Sequence, residues 1–216
     1  MKIGVLGTGM VGSAIATKLV GLGHEVRMGS RTPDSERAAE WVAAVGQGAS
    51  QGTFADAAAH GELVFNCTAG EASLAVLEAA GAENLAGKVL VDVSNPLDHS
   101  QGMPPGLFTS SFDSLAEQIQ RAFPDARVVK ALNTVNAEVM VEPSKVPGAH
   151  DVFLCGDDEA AKARVVELLE TFGWPAESVI DLGDLTSARG MEAYLLLWIR
   201  LWGTLGTGHF NVKVVR

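Results

Sequence analysis

A glycine-rich turn follows directly on a short apolar run at the start of this 216-residue chain, and it leaves few folds open. Gly7, Gly9 and Gly12 form the pattern G-x-G-x-x-G behind the largely apolar residues 3–6. In this pattern the first glycine allows a tight turn, the second lets the backbone approach a pyrophosphate, and the third lets the next helix pack closely on the strand. Unpaired N–H groups at the N-terminus of that helix favour an anion. The pattern therefore predicts a dinucleotide site.

The residues behind the turn support this interpretation, which matters because 24 glycines in one chain produce such a spacing by chance. Apolar side chains recur at helical spacing at Val11, Ile15, Leu19 and Leu22. Gly23 is placed to end that helix, and residues 25–28 have the pattern of the next strand. A purely structural glycine turn is the alternative to a nucleotide-binding βαβ unit.

The end of the second strand indicates which dinucleotide is bound. A chain built for NAD usually carries Asp or Glu about 20 residues past the glycines, where it binds the ribose 2′-hydroxyl. Here no carboxylate ends the strand, and Ser30, Arg31 and Thr32 stand there instead. Arg31 offers a planar fork for a 2′-phosphate, while Ser30 and Thr32 offer hydroxyl groups. NADP(H) is therefore favoured over NAD(H), and the alternative is an ordinary turn before a helix, capped by Thr32 or Asp34.

Composition excludes several classes of partner. A formal net charge of −10 argues against nucleic acids and anionic membranes as partners and leaves a small molecule as the expected one.

Cys67 and Cys155 lie in apolar, strand-like runs and are expected to be buried free thiols in a reducing compartment. The cysteines and the five histidines show no metal-ligand spacing. The first residues already form a strand rather than a signal peptide, so we expect a cytoplasmic protein.

Apolar β-type runs alternate with helical patterns through most of the chain, which is typical of a parallel sheet covered on both faces. The predicted strands are residues 2–6, 24–28, 52–54, 63–67, 88–92, 127–131, 152–155 and 179–181. The predicted helices are residues 11–22, 34–45, 54–60, 71–80, 113–122, 158–171 and 185–205. The expected fold is therefore α/β, with a Rossmann-type, doubly wound and mostly parallel sheet in an NADP-binding domain (1–183). A small helical C-terminal segment (184–216) follows.

The helix predicted at 185–205 is apolar around much of its circumference. Arg189, Glu192 and Arg200 interrupt it, and its unbroken apolar stretch is far shorter than the roughly 20 residues that a bilayer needs. Such a helix must be covered by the rest of the chain or by a second subunit, and we expect a homodimer that uses the face 195–202. The glycine-rich residues 203–209 are either a simple chain reversal or a ligand contact.

Neutral polar groups follow several predicted strands, at Thr68, at Ser94 and Asn95, and at Asn133 and Thr134. Each alone often begins a loop, but their shared position at one sheet edge suits the orientation of a nicotinamide and a second planar ring. Amides and hydroxyls are suited to orienting rings rather than to transferring protons.

Groups for general acid–base catalysis are sparse. Tyr194 lacks the lysine four residues later that carbonyl reductases use, and no lysine occurs between Arg164 and Lys213. The histidines His99, His150 and His209 lack an orienting carboxylate at a diagnostic spacing. We therefore expect no catalytic side chain and a hydride transfer between two redox cofactors, which needs alignment more than proton transfer.

These motifs together resemble the NADP oxidoreductases that depend on the deazaflavin coenzyme F420. The resemblance covers nearly the whole chain and is carried by residues 7–12, 29–31, 128–134 and 155–158 and by the glycine-rich tail. It implies a homodimer with a Rossmann body, NADP(H) as cofactor and F420 as second substrate. It further implies that residues 8–11 line the pyrophosphate, that Ser30 and Arg31 bind the 2′-phosphate, and that Thr68, Asn95 and Ala137 lie on the nicotinamide side.

The residues expected to bind the cofactor are Gly7, Thr8, Gly9, Met10, Val11, Gly12, Ser30, Arg31, Thr32, Thr68, Ala69, Asn95, Asn133 and Ala137. Two other functions stay open at this stage. One is an NADPH-dependent reductase of an imine, a quinone or a chelated metal ion. The other is a non-catalytic NADP(H) sensor whose apolar C-terminal helix binds a partner.

The residues at the end of the second strand lead to a first prediction. We expect NADPH to bind more tightly than NADH, because an arginine–phosphate contact contributes about 1.5–3 kcal/mol, or roughly a 10- to 100-fold preference. Arg31→Ala should remove most of that preference and leave the affinity for NADH nearly unchanged. Titration of both nucleotides measures this, and equal affinities in the wild type would contradict the role given to Ser30 and Arg31.

Overall fold

The computed structural model describes residues 1–215, so Arg216, the last residue of the predicted C-terminal segment, lies outside the described residues. Within residues 1–215 one sheet has eight strands in the order β10-β9-β8-β5-β4-β1-β2-β3. Its strands are β1 Lys2–Leu6, β2 Glu25–Ser30, β3 Ala49–Thr53, β4 Leu63–Asn66, β5 Val89–Asp92, β8 Arg127–Ala131, β9 Val152–Gly156 and β10 Val179–Asp181. A separate two-stranded ribbon pairs β6 Leu97–Asp98 with β7 Gly106–Leu107. This architecture confirms the predicted doubly wound α/β fold.

Helices cover both faces of the sheet. They are α1 Met10–Gly21, α2 Glu36–Val45, α3 Phe54–His60, α4 Gly70–Ala80, α5 Ala82–Leu85, α6 Leu115–Ala122, α7 Ala137–Val141, α8 Glu159–Phe172 and α9 Ala188–Leu205. Short 3₁₀ turns lie at Pro143–Lys145, Ala176–Ser178 and Leu185–Ser187. In the described part of the chain, every helix is too short or too polar to cross a membrane.

The strand order reverses at β1, which pairs in parallel with β2 on one side and with β4 on the other. Strands β4, β5 and β8 continue the parallel ladder, so their carboxyl ends lie at the same edge as that of β1. Within the eight-stranded sheet of residues 1–215, β8 and β9 form the one antiparallel pair, which agrees with a mostly parallel sheet. Open sheets of this kind bind ligands where the strand order reverses, so the topology places the glycine turn at that position.

Alternating side chains of the central strands build two hydrophobic cores, one on each face of the sheet. Ile3 and Val5 belong to one core, whereas Leu6 belongs to the other. Within β4, Phe65 and Val64 divide between the same two cores. Both faces of the central strands are therefore buried, and functional groups can reach solvent only at the strand ends.

Several expectations need correction at their boundaries. The strand expected at 52–54 is β3 Ala49–Thr53, and Phe54 already begins helix α3 behind a Thr53–Asp56 capping box. The expected helix at 185–205 begins with a 3₁₀ turn, and α9 starts only at Ala188. Helices α5 and α7 and the β6–β7 ribbon were not predicted from the sequence, because elements of two to five residues leave little periodicity.

The packing of α1 on β1 depends on a glycine. Gly12 is buried, and a Cβ atom there would overlap the carbonyl oxygen of Gly7. Gly7 itself has φ of +114°, a conformation that side chains rarely adopt. The third glycine of the motif thus sets the close approach of helix and strand.

This contact yields a prediction for stability. Gly12→Ala should lower the free energy of unfolding by about 1–3 kcal/mol, because the added methyl group has no room. Gly21→Ala is the matched control in the same helix, since a Cβ there meets nothing within 4 Å. It should raise stability by about 0.5–1 kcal/mol. Denaturant unfolding measures both, and an unchanged midpoint in Gly12→Ala would show that the contact is not tight.

Candidate functional site

The glycine turn presents the N-terminus of helix α1 at the carboxyl edge of the sheet. The Gly7 N–H donates to the Gly29 carbonyl at 3.0 Å, which joins the turn to the end of β2. Gly9 is the N-cap of α1, has no side-chain cap, and has open space within 4 Å of where a Cβ would stand. Thr8 is half-buried and Met10 is 72% exposed beside it. The first N–H groups of α1 thus face open space, where an anion fits.

The end of β2 forms an ordered loop with an unpaired cation. Ser30 is buried, and its hydroxyl donates to the Thr32 carbonyl at 2.5 Å. Gln51 donates to the carbonyl of Pro33 at 3.1 Å, which also holds the loop. Arg31 and Thr32 are exposed, and Arg31 has no ion pair or hydrogen bond among the residues that the structure describes. Arg31 is therefore available to an anionic ligand, while the Ser30 hydroxyl already serves the loop.

A cleft of about 210 Å³ opens between the ends of β4 and β5 and the start of α1. Its lining contains four of the expected cofactor residues, Val11, Thr68, Ala69 and Asn95. Cys67, Ser94 and His99 also line it. The structure thus brings Thr68, Ser94 and Asn95 together along the wall of this cleft, whereas Asn133 and Ala137 are not part of its lining. Cys67 is half-buried rather than fully buried as expected, whereas Cys155 is buried.

A pair of amides closes one end of this wall. Asn133 Nδ2 donates to Asn95 Oδ1 at 2.9 Å, and Asn95 Nδ2 donates to the Asn133 carbonyl at 3.1 Å. Asn133 Nδ2 also reaches the Met191 carbonyl of α9 at 3.0 Å. The Oδ1 atom of Asn133 and the hydroxyl of Thr134 are buried without a partner within residues 1–215. Both atoms are buried and neither residue lines the cleft, so Asn133 contributes to the site through Asn95.

The backbone between β8 and α7 is strained beside these atoms. Leu132 has φ of +63°, the one positive value outside glycine in residues 1–215. The next helix starts at Ala137, which is buried, with Asn136 as its N-cap. The C-terminal chain packs here too, since a Cβ at Gly208 would stand 2.6 Å from Nδ2 of Asn136. The glycine-rich tail thus passes close to the α7 N-terminus.

A buried cluster of charges, which was not predicted from the sequence, lies behind the cleft wall. Lys130 Nζ lies 2.7 Å from Asp92 Oδ2, 2.9 Å from Glu192 Oε1 and 2.6 Å from the Ser94 carbonyl oxygen. Glu192 also accepts from the backbone N–H groups of Leu115 and Ala116 at the start of α6. We call Lys130, Asp92 and Glu192 the buried charge cluster. A lysine inside the apolar run 128–132 was the signal that could have revealed it.

Burial and the neighbouring charges shift the pKa values of Lys130 and Glu192. Burial alone lowers the pKa of Lys130, but the carboxylates of Asp92 and Glu192 outweigh it and raise that pKa above the ordinary value. Burial raises the pKa of Glu192, while Lys130 and the Leu115 N–H oppose that rise. Lys130 is therefore cationic at neutral pH.

Hydrogen bonds continue from the cluster to the cleft. Asp92 Oδ1 accepts from Ser94 Oγ at 2.6 Å and from Asn66 Nδ2 at 2.9 Å. Asn66 Oδ1 accepts in turn from Thr68 Oγ1 at 2.7 Å. The hydroxyls of Ser94 and Thr68 thus stand between the buried charges and the cleft.

The histidines differ in their relation to the cleft. His99 is exposed at its rim, next to Asp98 in sequence. His150 is buried against Trp174, and its Nε2 lies 3.0 Å from the Pro143 carbonyl oxygen. His209 lies 3.2 Å from a carboxylate oxygen of Glu138. Among the residues described, no group of three His, Cys, Asp or Glu side chains could hold a metal ion.

Comparison with known proteins matches this architecture to one family. The chain is similar over 100% of both lengths to a proposed F420-dependent NADP reductase from Arthrobacter sp. FB24, with 53% identity and a TM-score of 0.95. The family model "NADP oxidoreductase coenzyme F420-dependent" matches residues 2–96. The chain belongs to this family. Its members are NADP-dependent oxidoreductases, so the dinucleotide predicted from the glycine turn and Arg31 is the family's cofactor.

Two more distant similarities are informative in different ways. The metalloreductase STEAP3 of Rattus norvegicus is 34% identical over 93% of this chain, but the chain spans only 38% of that protein. An imine reductase of Streptomyces aurantiacus is 21% identical over 95% of this chain and 64% of its own, with a TM-score of 0.66. At that identity the second similarity shows the shared fold.

Proposed function

We propose that this member of the family transfers hydride between NADP(H) and a deazaflavin coenzyme of the F420 type. The observation that carries the proposal is the cleft at the topological switch point, lined by hydroxyl and amide groups and open next to the α1 N-terminus. Bound NADP(H) supplies the hydride. The protein's task is then to hold two planar rings in register, which neutral hydrogen-bonding groups do well.

In this proposal the glycine turn and the β2 end bind the charged parts of the cofactor. Gly7 shapes the turn, Gly12 lets α1 approach, and the N–H groups of residues 8–11 bind the pyrophosphate. Arg31 binds the 2′-phosphate, since it is exposed and unpaired in the described chain. Thr32 adds a hydroxyl to that site. The buried Ser30 does not contact the phosphate in this proposal. Its hydroxyl instead holds the loop that presents Arg31.

The nicotinamide side of the cofactor is assigned to the cleft. Thr68, Ala69 and Asn95 form its wall, and Ala137 begins the helix at its far end. Asn133 orients Asn95 through their paired amides. Asn133 Oδ1 and the Thr134 hydroxyl are buried, and no contact with either ring is assigned to them.

A second candidate is reduction of an imine or of a chelated metal ion by NADPH. It is favoured by His99, whose exposed ring at the cleft rim could donate a proton, and by the similarity to the rat metalloreductase. The third hypothesis is a non-catalytic NADP(H) sensor, which binds the nucleotide without turnover.

A spectrophotometric screen separates these functions. NADPH oxidation is followed with F420, flavins, quinones, imines and chelated ferric ion as acceptors, and we expect turnover with F420.

His99→Ala and Asn133→Ala should each lower that rate by about tenfold or less, because ring alignment is affected rather than proton transfer. A loss above about 10³-fold in His99→Ala, with a matching limb in the pH–rate profile, would favour imine reduction instead. Tight NADPH binding without any turnover would favour the sensor.

The residues after 183 are proposed as a dimerisation segment. Leu196, Leu197, Trp202 and Leu205 of α9 are 40–55% exposed, and we call them the α9 apolar surface. Leu195 was expected on this face but is buried within the chain. Trp198 stacks on Trp202 and on Phe210, with ring centroids 6.4 and 5.3 Å apart.

The α9 apolar surface predicts a homodimer at micromolar concentration, because soluble monomers seldom leave several large apolar side chains of one helix this exposed. Leu197→Glu should convert the dimer to a monomer, since it would bury an unpaired charge in the interface. Lys18→Glu, on helix α1, is the control and should leave the dimer intact. Sedimentation velocity measures both variants, and a monomeric wild type would refute the proposed interface.

A further inference from the structure

The buried charge cluster carries more negative than positive charge. Asp92 and Glu192 contribute two carboxylates and Lys130 one ammonium group, and all three side chains are at most 1% exposed. Besides Lys130, the partners of Asp92 are neutral, namely Asn66 and Ser94. The partial positive charge of the α6 N-terminus falls on Glu192. Both oxygens of Glu192 accept hydrogen bonds, as those of a carboxylate do, so the cluster has a formal charge of −1, and within residues 1–215 it contains no second cation.

The two cysteine thiols near the cluster, Cys155 and Cys67, are neutral and do not change its charge. Burial, together with nearby carboxylates, raises the pKa of Cys155 to about 12, so this thiol stays neutral at pH 7. Burial and the negative charge of Asp92 raise the pKa of Cys67 as well. Because Cys67 lines the cleft, the field of Asp92 reaches the cleft wall.

On the shortest path, the single hydroxyl of Ser94 separates the cluster from the cleft. Ser94 lines the cleft and donates its hydroxyl hydrogen bond to Asp92 Oδ1 at 2.6 Å. Since this wall is buried protein rather than water, the field of the cluster is weakly screened on its way to the cleft. Glu71 also lines the cleft, but it is exposed and therefore screened by solvent.

We propose that the buried charge cluster biases the cleft toward the oxidised, cationic nicotinamide ring and against the reduced, neutral one. The inference rests on the proposed function, which places the nicotinamide in this cleft. The pyrophosphate and 2′-phosphate are the same in NADP⁺ and NADPH, so the bias acts through the ring alone. A site that binds the oxidised form more tightly makes bound NADPH the stronger hydride donor, by about 30 mV for each tenfold difference in affinity. The cluster thereby favours reduction of the second substrate by NADPH.

The test measures the dissociation constants of NADP⁺ and NADPH by calorimetry, in the wild type and in Glu192→Gln. Glutamine keeps the shape of the side chain and removes the excess charge. We expect the ratio of NADPH to NADP⁺ dissociation constants to fall by about five- to tenfold, the size of one unit charge acting through protein. A merely structural loss would weaken both forms alike and leave the ratio unchanged.

Glu117→Gln is the matched control. Glu117 also joins α6 to α9, through its ion pair with Arg189 at 2.6 Å, but Arg189 balances its charge and is partly exposed. The ratio should stay within about twofold of the wild type in this variant, as expected for a screened surface pair. If Glu192→Gln fails to fold by circular dichroism, Asp92→Asn replaces it with the same expected fall.

The outcomes separate this inference from the function on which it rests. A folded Glu192→Gln with an unchanged ratio overturns the inference while leaving NADP(H) binding and turnover intact. An equal fall in Glu117→Gln or Glu71→Gln overturns it too, because the bias would then come from general surface charge. Failure of the wild type to bind either nucleotide would instead refute the proposed function.

Discussion

Lys130 joins four elements of the fold at one buried ammonium group. An ammonium group in the middle of a sheet is costly unless every hydrogen is matched, and here β5, α9 and the turn after β5 provide the acceptors. Removing one member of such a pair typically costs about 3–5 kcal/mol, because the other charge is left buried alone. The position of α9, the start of α6 and the Ser94–Asn95 turn are therefore set together, and the cleft wall takes its shape from that constraint.

The parts of the fold that local physics determines were predictable from the sequence. The glycine turn, the helical spacing behind it and the alternation of apolar strands each act within about twenty residues, so the βαβ start and the parallel sheet followed from them. The convergence of Thr68, Asn95 and Asn133 was also predictable, because parallel strands bring their carboxyl ends to one edge. Helix α7 and the β6–β7 ribbon were not, since tertiary contacts rather than periodicity sustain elements so short.

The hydrogen bonds and ion pairs between particular side chains could not be predicted from the sequence. Asn95 and Asn133 were predicted at the same sheet edge. The two hydrogen bonds between them, however, depend on the register of β5 with β8 and on the strained backbone at Leu132. Lys130 reaches Asp92 across 38 residues and Glu192 across a helix whose docking the sequence does not reveal. A lysine within a fully apolar strand nonetheless requires a buried partner, so the existence of such a cluster, though not its members, could have been inferred.

In the proposed site the hydroxyls of the cleft wall and the buried charges behind them form two separate layers. Ser94 and Thr68 line the cleft as neutral hydroxyls, and each leads through a short hydrogen-bonded path to the carboxylate of Asp92. A carboxylate placed directly in the cleft would be hydrated in the open site and would have to shed that water when a ring entered. One layer behind the wall the same charge is already desolvated and held by Lys130, so it acts through its field without reorganising. In the proposed site the ring would meet neutral hydroxyls backed by a desolvated charge, whereas Glu71, the carboxylate that does line the cleft, is exposed to solvent.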